Sequence, residues 1–180
     1  MGRLGFRPVT AATRDDFVAL FDRGGWQKQC WCMVWRATPE EGRGTPAPLR
    51  RAQMLGRIAA GAPVGLLGYA GPDPVAWVSI APKATYQRLG GPDPGPGERI
   101  WSLACMFIRR DHRGRGLAHE LIAAAVAEAR RLGATAVEAY PVDPDSPTYG
   151  YMGHVPAFAR AGFAEVGRVG KRRHVMRLAL

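Results

Sequence analysis

Residues 101–139 read WSLACMFIRRDHRGRGLAHELIAAAVAEARRLGATAVEA, and this stretch decides the fold. The apolar run 101–108 predicts a strand. From Leu117 to Leu132, apolar residues recur at helical spacing and Gly133 follows, which predicts a helix with a glycine at its C-terminal end. Residues 134–139 predict a second strand. The order strand, loop, helix, strand places the loop at the N-terminus of a helix.

The loop between the first strand and the helix is strongly basic. Five basic side chains fall within seven residues, against one acid, Asp111; they are Arg109, Arg110, His112, Arg113 and Arg115. Gly114 and Gly116 leave the backbone bare where the helix begins. A helix N-terminus offers unpaired N–H groups and a partial positive charge, and arginine adds charge-assisted hydrogen bonds. The loop therefore predicts a site for a phosphate-bearing ligand.

Composition indicates one globular domain over residues 1–180 with an anionic partner. The chain has 25 Lys and Arg against 15 Asp and Glu, a formal charge of +10, and 47% hydrophobic residues. No apolar run reaches the roughly 18 residues that span a membrane, and no secretory signal is apparent. Three cysteines are too few for a disulfide framework, and the Cys30-x-Cys32 pair lacks the further ligands of a zinc site. We therefore expect a cytoplasmic protein without a metal.

The remaining periodicity predicts further helices and strands on both sides of this unit. Helices are expected from a capping box at Thr13 and over 49–60 and 155–161, and strands over 6–9, 64–70, 75–80, 163–166 and 174–180. Long turn-rich loops cover 37–48, 81–98 and 140–153.

A tryptophan-rich segment precedes the first long loop. Trp26, Trp31 and Trp35 lie within ten residues. Tryptophan buries a large area wherever it lies, so core packing is one interpretation. An aromatic wall for a substrate is the other, and the sequence alone leaves the two about even.

The loop also carries a family resemblance. Residues Arg113-Gly114-Arg115-Gly116-Leu117-Ala118 fit the pattern R/Q-x-x-G-x-G/A, with Ile108 five residues upstream, and this resembles motif A of the GCN5-related N-acetyltransferases (GNAT). The segment VPAFARAGF is similar to the family's short helix before its last strands, and the order of elements matches across almost the whole chain. The resemblance implies an α+β fold: a mostly antiparallel sheet of six to seven strands, flanked by about four helices and splayed at the cofactor site.

The resemblance further implies that acetyl-coenzyme A lies in the splay. The family's pyrophosphate is held by the backbone amides of the motif, which here are those of Arg113, Gly114, Arg115, Gly116, Leu117 and Ala118. The strand edge at Met106, Phe107 and Ile108 would bond the pantetheine arm. Phe158, in the short helix, would lie beside the cofactor.

The catalytic acid is less clear from the family pattern. Relatives often carry a tyrosine where this chain has Phe158, which has no proton to give. Tyr149 and Tyr151 are the nearest candidates for protonating the thiolate, with His154 behind them, although a packing role is equally open for each tyrosine. Ser102 stands where some relatives carry a glutamate base, so we expect the amine to lose its proton through water or to arrive neutral.

The expected reaction is direct transfer of acetyl to a primary amine of a small molecule in a ternary complex. Trp31, Trp35 and Ser102 are the predicted substrate residues. Stacking of tryptophan on a sugar face favours an aminoglycoside-type antibiotic or another amino sugar, and hence a role in antibiotic resistance. A strongly basic protein suits a polycation poorly, however, and a carboxylate-bearing amine would fit better. A peptide or protein amine is the runner-up, and a homodimer is left open.

Two other classes of function compete. Gly114-x-Gly116 between a strand and a helix, with Glu138 after the next strand, invites a Rossmann-type dinucleotide site, but His119 occupies the third glycine position. The charge of +10 suits nucleic acid, but the arginines concentrate at one helix start and no aromatic residues are interleaved with the basic tail. Both alternatives are disfavoured.

Overall fold

The computed structural model describes residues 4–23, 25–42 and 44–180. Within these ranges, seven strands form one sheet in the order β1-β2-β3-β4-β5-β7-β6. The strands are β1 Gly5–Pro8, β2 Leu66–Ala70, β3 Asp73–Pro82, β4 Ile100–Ile108, β5 Ala136–Ala139, β6 Ala164–Val169 and β7 Arg173–Ala179. The helices are α1 Arg14–Asp22, α2 Gln27–Cys30, α3 Ala47–Ala59, α4 Leu117–Arg131 and α5 Val155–Arg160. The predicted α+β architecture is confirmed.

One strand pair sets the shape of the sheet. β4 and β5 are parallel, whereas all other neighbours are antiparallel. The parallel pairing ends at Leu103 and Ala139. On its other edge β4 stays paired with β3 as far as Ile108. The end of β4 therefore has no ladder partner on the β5 side among the described residues, and the sheet splays there.

The two faces of the sheet bury different helices. Helix α4 places Leu121, Ile122 and Ala125 against one face, where Val78 and Leu103 meet them. On the opposite face, Trp77 is enclosed in a second cluster by residues of α1, of α3 and of the segment that follows α2. Ala76, Val78 and Ile80 of β3 therefore pack in the first cluster and Trp77 in the second, as the two-residue period of a strand requires.

Two local predictions needed correction. The capping box lies one turn earlier than expected: Thr10 and Thr13 cap a single 3-10 turn, and the Thr13 hydroxyl donates to the Pro8 carbonyl instead of capping α1. The short helix α2 was not predicted, because its four residues QKQC carry no apolar period. Of the helices in the described part of the chain, none is long and apolar enough to span a bilayer.

Candidate active site

The splay opens into a cleft of about 1100 Å³. Its floor is the unpaired end of β4, from Ala104 to Ile108. One wall comes from residues 25–35 and the other from 150–157, while the basic loop closes one end. Among the predicted site residues, those that line it are Trp35, Met106, Phe107, Ile108, Arg113, Gly114, Ala118 and Tyr151.

The basic loop is shaped by its own backbone contacts. Gly114 and Gly116 have φ of +72° and +75°, the left-handed region that glycine adopts without strain. Arg113 Nε donates to the Ile108 carbonyl at 2.8 Å, and Arg115 Nη2 donates to the Asp111 carbonyl at 2.8 Å. These bonds fold the loop back on the strand end and leave the start of α4 facing the cleft.

This end of the cleft fits a pyrophosphate. A Cβ added at Gly114 or Gly116 would meet no protein atom within 4 Å, so the backbone there is open to a ligand. Of the first N–H groups of α4, that of His119 donates to the Gly116 carbonyl, whereas those of Leu117 and Ala118 come too early in the helix for an i−4 partner, and a helix N-terminus favours an anion. Asp111 pairs with Arg109, whose guanidinium lowers the pKa of that carboxyl, whereas Arg110 and Arg113 have no such ion pair among the described residues. The unpaired edge of β4 beyond Leu103 is suited to hydrogen bonding a pantetheine arm.

Three of the predicted cofactor residues, Leu117, Arg115 and Phe158, do not place a side chain at the cleft, although the role expected of Leu117 and Arg115 is that of their backbone amides. Leu117 is buried in the core with α4, so only its backbone can serve a ligand, and Arg115 is exposed outside the cleft lining. Phe158 is fully buried, 5.2 Å from the Phe163 ring, and does not line the cleft. Its ring lies directly under Gly153, so it supports the wall instead of contacting the cofactor.

Of the two acid candidates, Tyr151 is the one in the cleft. Burial raises its pKa to about 12, while the nearby indole N–H of Trp35 acts in the opposite sense. Tyr151 therefore holds its proton at neutral pH. Tyr149 lies behind it, 6.2 Å between ring centres, in a left-handed turn (φ +64°). His154 lines the cleft and is exposed.

The predicted substrate residues separate into two groups. Trp35 lines the cleft, but Trp31 does not. Trp31 is 1% exposed and stacks on Phe21 with ring centres 5.4 Å apart, because the left-handed turn that ends α2 directs its side chain into the core. The prediction of substrate contact by Trp31 is therefore wrong. Trp26, 76% exposed, lies at the cleft instead.

Ser102 also lies away from the cleft. It is fully buried, and its hydroxyl hydrogen bonds the Tyr140 hydroxyl at 3.0 Å. Tyr140 in turn donates to Glu138, whose buried carboxylate also receives Lys83 and Arg177. The parallel β4–β5 pairing brings Ser102 opposite Glu138, which draws its side chain into this network. The expectation that Ser102 contacts substrate is wrong, and Glu138 is equally unable to reach a ribose.

The structure adds cleft residues that the sequence did not indicate. Ser79 and Tyr86 line the cleft, and both accept hydrogen bonds from Arg36 Nη2, at 2.9 and 2.7 Å. Ser79 sits within an apolar run and Tyr86 within a turn-rich loop, so neither carries a local signal. Arg36 directly follows Trp35 in the chain and is itself 1% exposed.

The three cysteines are free, and all line the cleft. Trp77 Nε1 donates to Cys32 Sγ at 3.0 Å, and burial contributes to raising the pKa of both the Cys30 and Cys32 thiols, after the hydrogen bonds among the cysteines themselves. No group of three or more His, Cys, Asp and Glu side chains within the described ranges is arranged to hold a metal ion.

The sequence profile of the acetyltransferase (GNAT) family matches residues 28–152, more than half of the chain. The chain belongs to this family, and it is accordingly an acyltransferase with acetyl-coenzyme A as donor. Comparison of the sequence with curated proteins gives no match.

Solved structures share the fold. The GNAT domain of S. lividans PAT is 20% identical with a TM-score of 0.64, covering 99% of this chain and 92% of that one. The ribosomal-protein-alanine N-acetyltransferase of Brucella melitensis is 19% identical with a TM-score of 0.58, covering 98% and 100%. The structure of yncA from Salmonella typhimurium with its cofactor acetyl-CoA is 15% identical with a TM-score of 0.58, covering 99% and 95%.

Proposed function

We propose that this enzyme transfers acetyl from acetyl-coenzyme A directly to the primary amine of a small molecule. One observation carries the proposal: a single cleft runs from the basic helix start, along the unpaired edge of β4, to Trp35 and Tyr151. Donor and acceptor would meet near the middle of β4. Three free cysteines agree with a reducing compartment, so we place the protein in the cytoplasm.

The described residues suggest a division of roles. The backbone N–H groups from Gly114 to Ala118 would hold the pyrophosphate, and the edge at 106–108 would align the pantetheine. The Tyr151 hydroxyl would give its proton to the departing thiolate, because it lines the cleft and a phenol is protonated at neutral pH. No carboxylate among the described residues lines the cleft, so the amine would lose its proton to water or bind neutral.

The lack of a carboxylate among the described lining residues also limits the class of acceptor that the cleft suits. The described lining residues include Arg23, Arg109, Arg110 and Arg113 but neither Asp nor Glu. A polycationic aminoglycoside would be repelled by this charge and would find no carboxylate to neutralise its ammonium groups. We therefore propose an acceptor with a single amino group, with Trp35 forming an aromatic wall beside it.

A peptide or protein amine is the second candidate. Trp26 and Val34 are exposed where they border the cleft, and such residues offer apolar contacts to a chain extending out of it.

The test is thiol release from acetyl-coenzyme A with a panel of monoamines, amino sugars, aminoglycosides and short peptides. We expect coenzyme binding by calorimetry and turnover with small monoamines. Aminoglycosides should be about fivefold less efficient, because one exposed ionic contact contributes up to about 1 kcal/mol. Turnover confined to peptides would transfer the assignment to the second candidate. Failure to bind coenzyme A would overturn the proposal.

A further inference from the structure

Arg36 carries a buried positive charge that the protein does not neutralise. The side chain is 1% exposed, and its Nη2 donates to the Val64 carbonyl, the Ser79 hydroxyl and the Tyr86 hydroxyl. No carboxylate of the described residues lies within 4 Å of it, and the few undescribed residues include neither Asp nor Glu. A buried charge without an opposite charge is costly, and such groups usually have a partner.

The groups around Arg36 do not supply the missing charge. Burial raises the pKa of Tyr86 to about 12 even though Arg36 acts to lower it, so the phenol stays protonated at neutral pH. The Cys32 thiol has a raised pKa as well. The partners of Arg36 on the cleft side are therefore neutral hydroxyl groups.

Two donors in this region are buried without a hydrogen bond of ordinary geometry among the described residues. Arg36 Nε is one, and Trp35 Nε1, which interacts with Tyr151 and lowers the pKa of that phenol, is the other; both atoms are inaccessible to solvent. Both atoms only donate. Buried donors without such a hydrogen bond are uncommon in proteins, so this region has more donors than acceptors.

A second arginine adds to the charge from the other side of Trp35. Arg173 lies over the Trp35 ring at 4.6 Å and over the Tyr149 ring at 5.6 Å, and its Nη1 donates to the Leu89 carbonyl. It too has no ion pair with a described carboxylate, and burial lowers its pKa. The inner end of the cleft, defined by Trp35, Ser79, Tyr86 and Tyr151, therefore lies between two buried guanidinium groups.

We propose that this inner end binds a carboxylate of the acceptor, so that the substrate class is an amino acid or a similar amine bearing a carboxylate. Trp35 and the Tyr86–Ser79 hydroxyls would contact the carboxylate, and Arg36 is the positioning residue that supplies the charge behind them. The inference rests on the proposed acetyl transfer and specifies its acceptor.

The experiment compares amino acids with their neutral counterparts. With the enzyme saturated with acetyl-coenzyme A, thiol release is measured for L-phenylalanine, L-methionine and L-tryptophan, for their amides, and for the corresponding decarboxylated amines. We expect kcat/KM for the free carboxylate to exceed that for the amide by about 10- to 100-fold, mostly through KM, the range for a hydrogen bond to a charged group. Calorimetry of the same compounds against the coenzyme A complex gives the preference without turnover.

Substitutions then locate the preference. Arg36→Gln should reduce the carboxylate-to-amide ratio to near one, and Trp35→Phe, which keeps an aromatic ring of smaller size but removes the N–H, should lower it in part. Lys171→Gln, which removes one exposed positive charge outside the cleft, is the matched control and should leave the ratio unchanged. If Arg36→Gln does not fold, Trp35→Phe and Tyr86→Phe carry the test.

The outcomes separate this inference from the proposed function. Loss of coenzyme A binding or of all acetyl transfer would count against the proposed function. Acetylation of amides and decarboxylated amines as efficient as that of the amino acids, or absence of any carboxylate preference in both turnover and binding, would overturn the inference alone. If Lys171→Gln changed the ratio as much as Arg36→Gln, the effect would come from overall charge, and this result would also overturn the inference.

Discussion

Leu103 and Ala139 are the last paired residues of the parallel ladder between β4 and β5, although β4 itself runs on to Ile108. The last part of the strand, residues 104–108, keeps its hydrogen bonds to β3 and presents its other edge to the cleft. Because the basic loop joins Ile108 to the start of α4, the five residues beyond the β4–β5 ladder also lead into that loop. The end of one ladder thus places both parts of the proposed cofactor site next to each other.

Replacing Gly116 by alanine should weaken cofactor binding. Its φ of +75° disfavours alanine, and the added methyl group meets no protein atom within 4 Å, so it would occupy space open to the pyrophosphate. We expect the Kd for coenzyme A to rise by about tenfold, with about 1 kcal/mol lost from the free energy of unfolding. Calorimetry and urea denaturation measure the two effects.

Gly133→Ala is the matched control for Gly116→Ala. Gly133 has φ of +81° and an equally open Cβ position, but lies beyond the opposite end of α4. It should lose similar stability with unchanged affinity. An equal loss of affinity in both variants would show that strain, and not the site, causes the effect.

Tyr151→Phe should lower kcat by about 100-fold or more while leaving the KM for acetyl-coenzyme A nearly unchanged, since the variant keeps the ring and removes only the proton donor. Tyr149→Phe serves as the comparison, because Tyr149 packs against Trp35 outside the cleft lining. Steady-state kinetics with a saturating amine makes the measurement. Full activity in Tyr151→Phe would remove this residue as the acid.

Truncation to alanine should destabilise the protein strongly at Trp31 and hardly at all at Trp26. Trp31→Ala removes a ring packed between Phe17 and Phe21, so we expect the free energy of unfolding to fall by about 3–5 kcal/mol. Trp26→Ala, at a position 76% exposed, should change it by about 0.5 kcal/mol or less. Urea denaturation measures both. A small effect at Trp31 would contradict its placement in the core.

The protein should lose stability between about pH 10 and pH 12. Burial raises the pKa of Tyr86 from its ordinary value near 10 to about 12, so in this window the unfolded state has released a proton that the folded state retains. Below pH 10 the free energy of unfolding is at its full value. It then falls as the pH rises towards 12, by about 1.4 kcal/mol per pH unit for each such tyrosine. Unfolding at several pH values should show a smaller slope in Tyr86→Phe. An unchanged slope would mean that Tyr86 titrates normally.

The sequence predicted much of the fold because its signals are local. The 3.6-residue period of Leu117, Leu121, Ile122 and Ala125 specifies a helix with one buried face, and Gly114 and Gly116 mark a backbone conformation that their neighbours cannot adopt without strain. Charge and glycine placement at one helix start sufficed to indicate an anion site. The antiparallel sheet needed the family resemblance, since single strands do not reveal their partners.

The inner end of the cleft depends on contacts between residues that are distant in sequence. Arg36, Ser79 and Tyr86 come together from a loop, a strand and a second loop, and no local pattern in the sequence indicates this contact. For the same reason the sequence could not separate Trp31 from Trp35: four residues apart and chemically identical, they differ only because a left-handed turn after α2 directs one ring into the core. The sequence by itself determined the basic, glycine-containing helix start, because backbone conformation and charge are properties of adjacent residues. Only the tertiary structure decided which aromatic and basic side chains lie at the inner end of the cleft, because burial is set by the packing of elements that are distant in the chain.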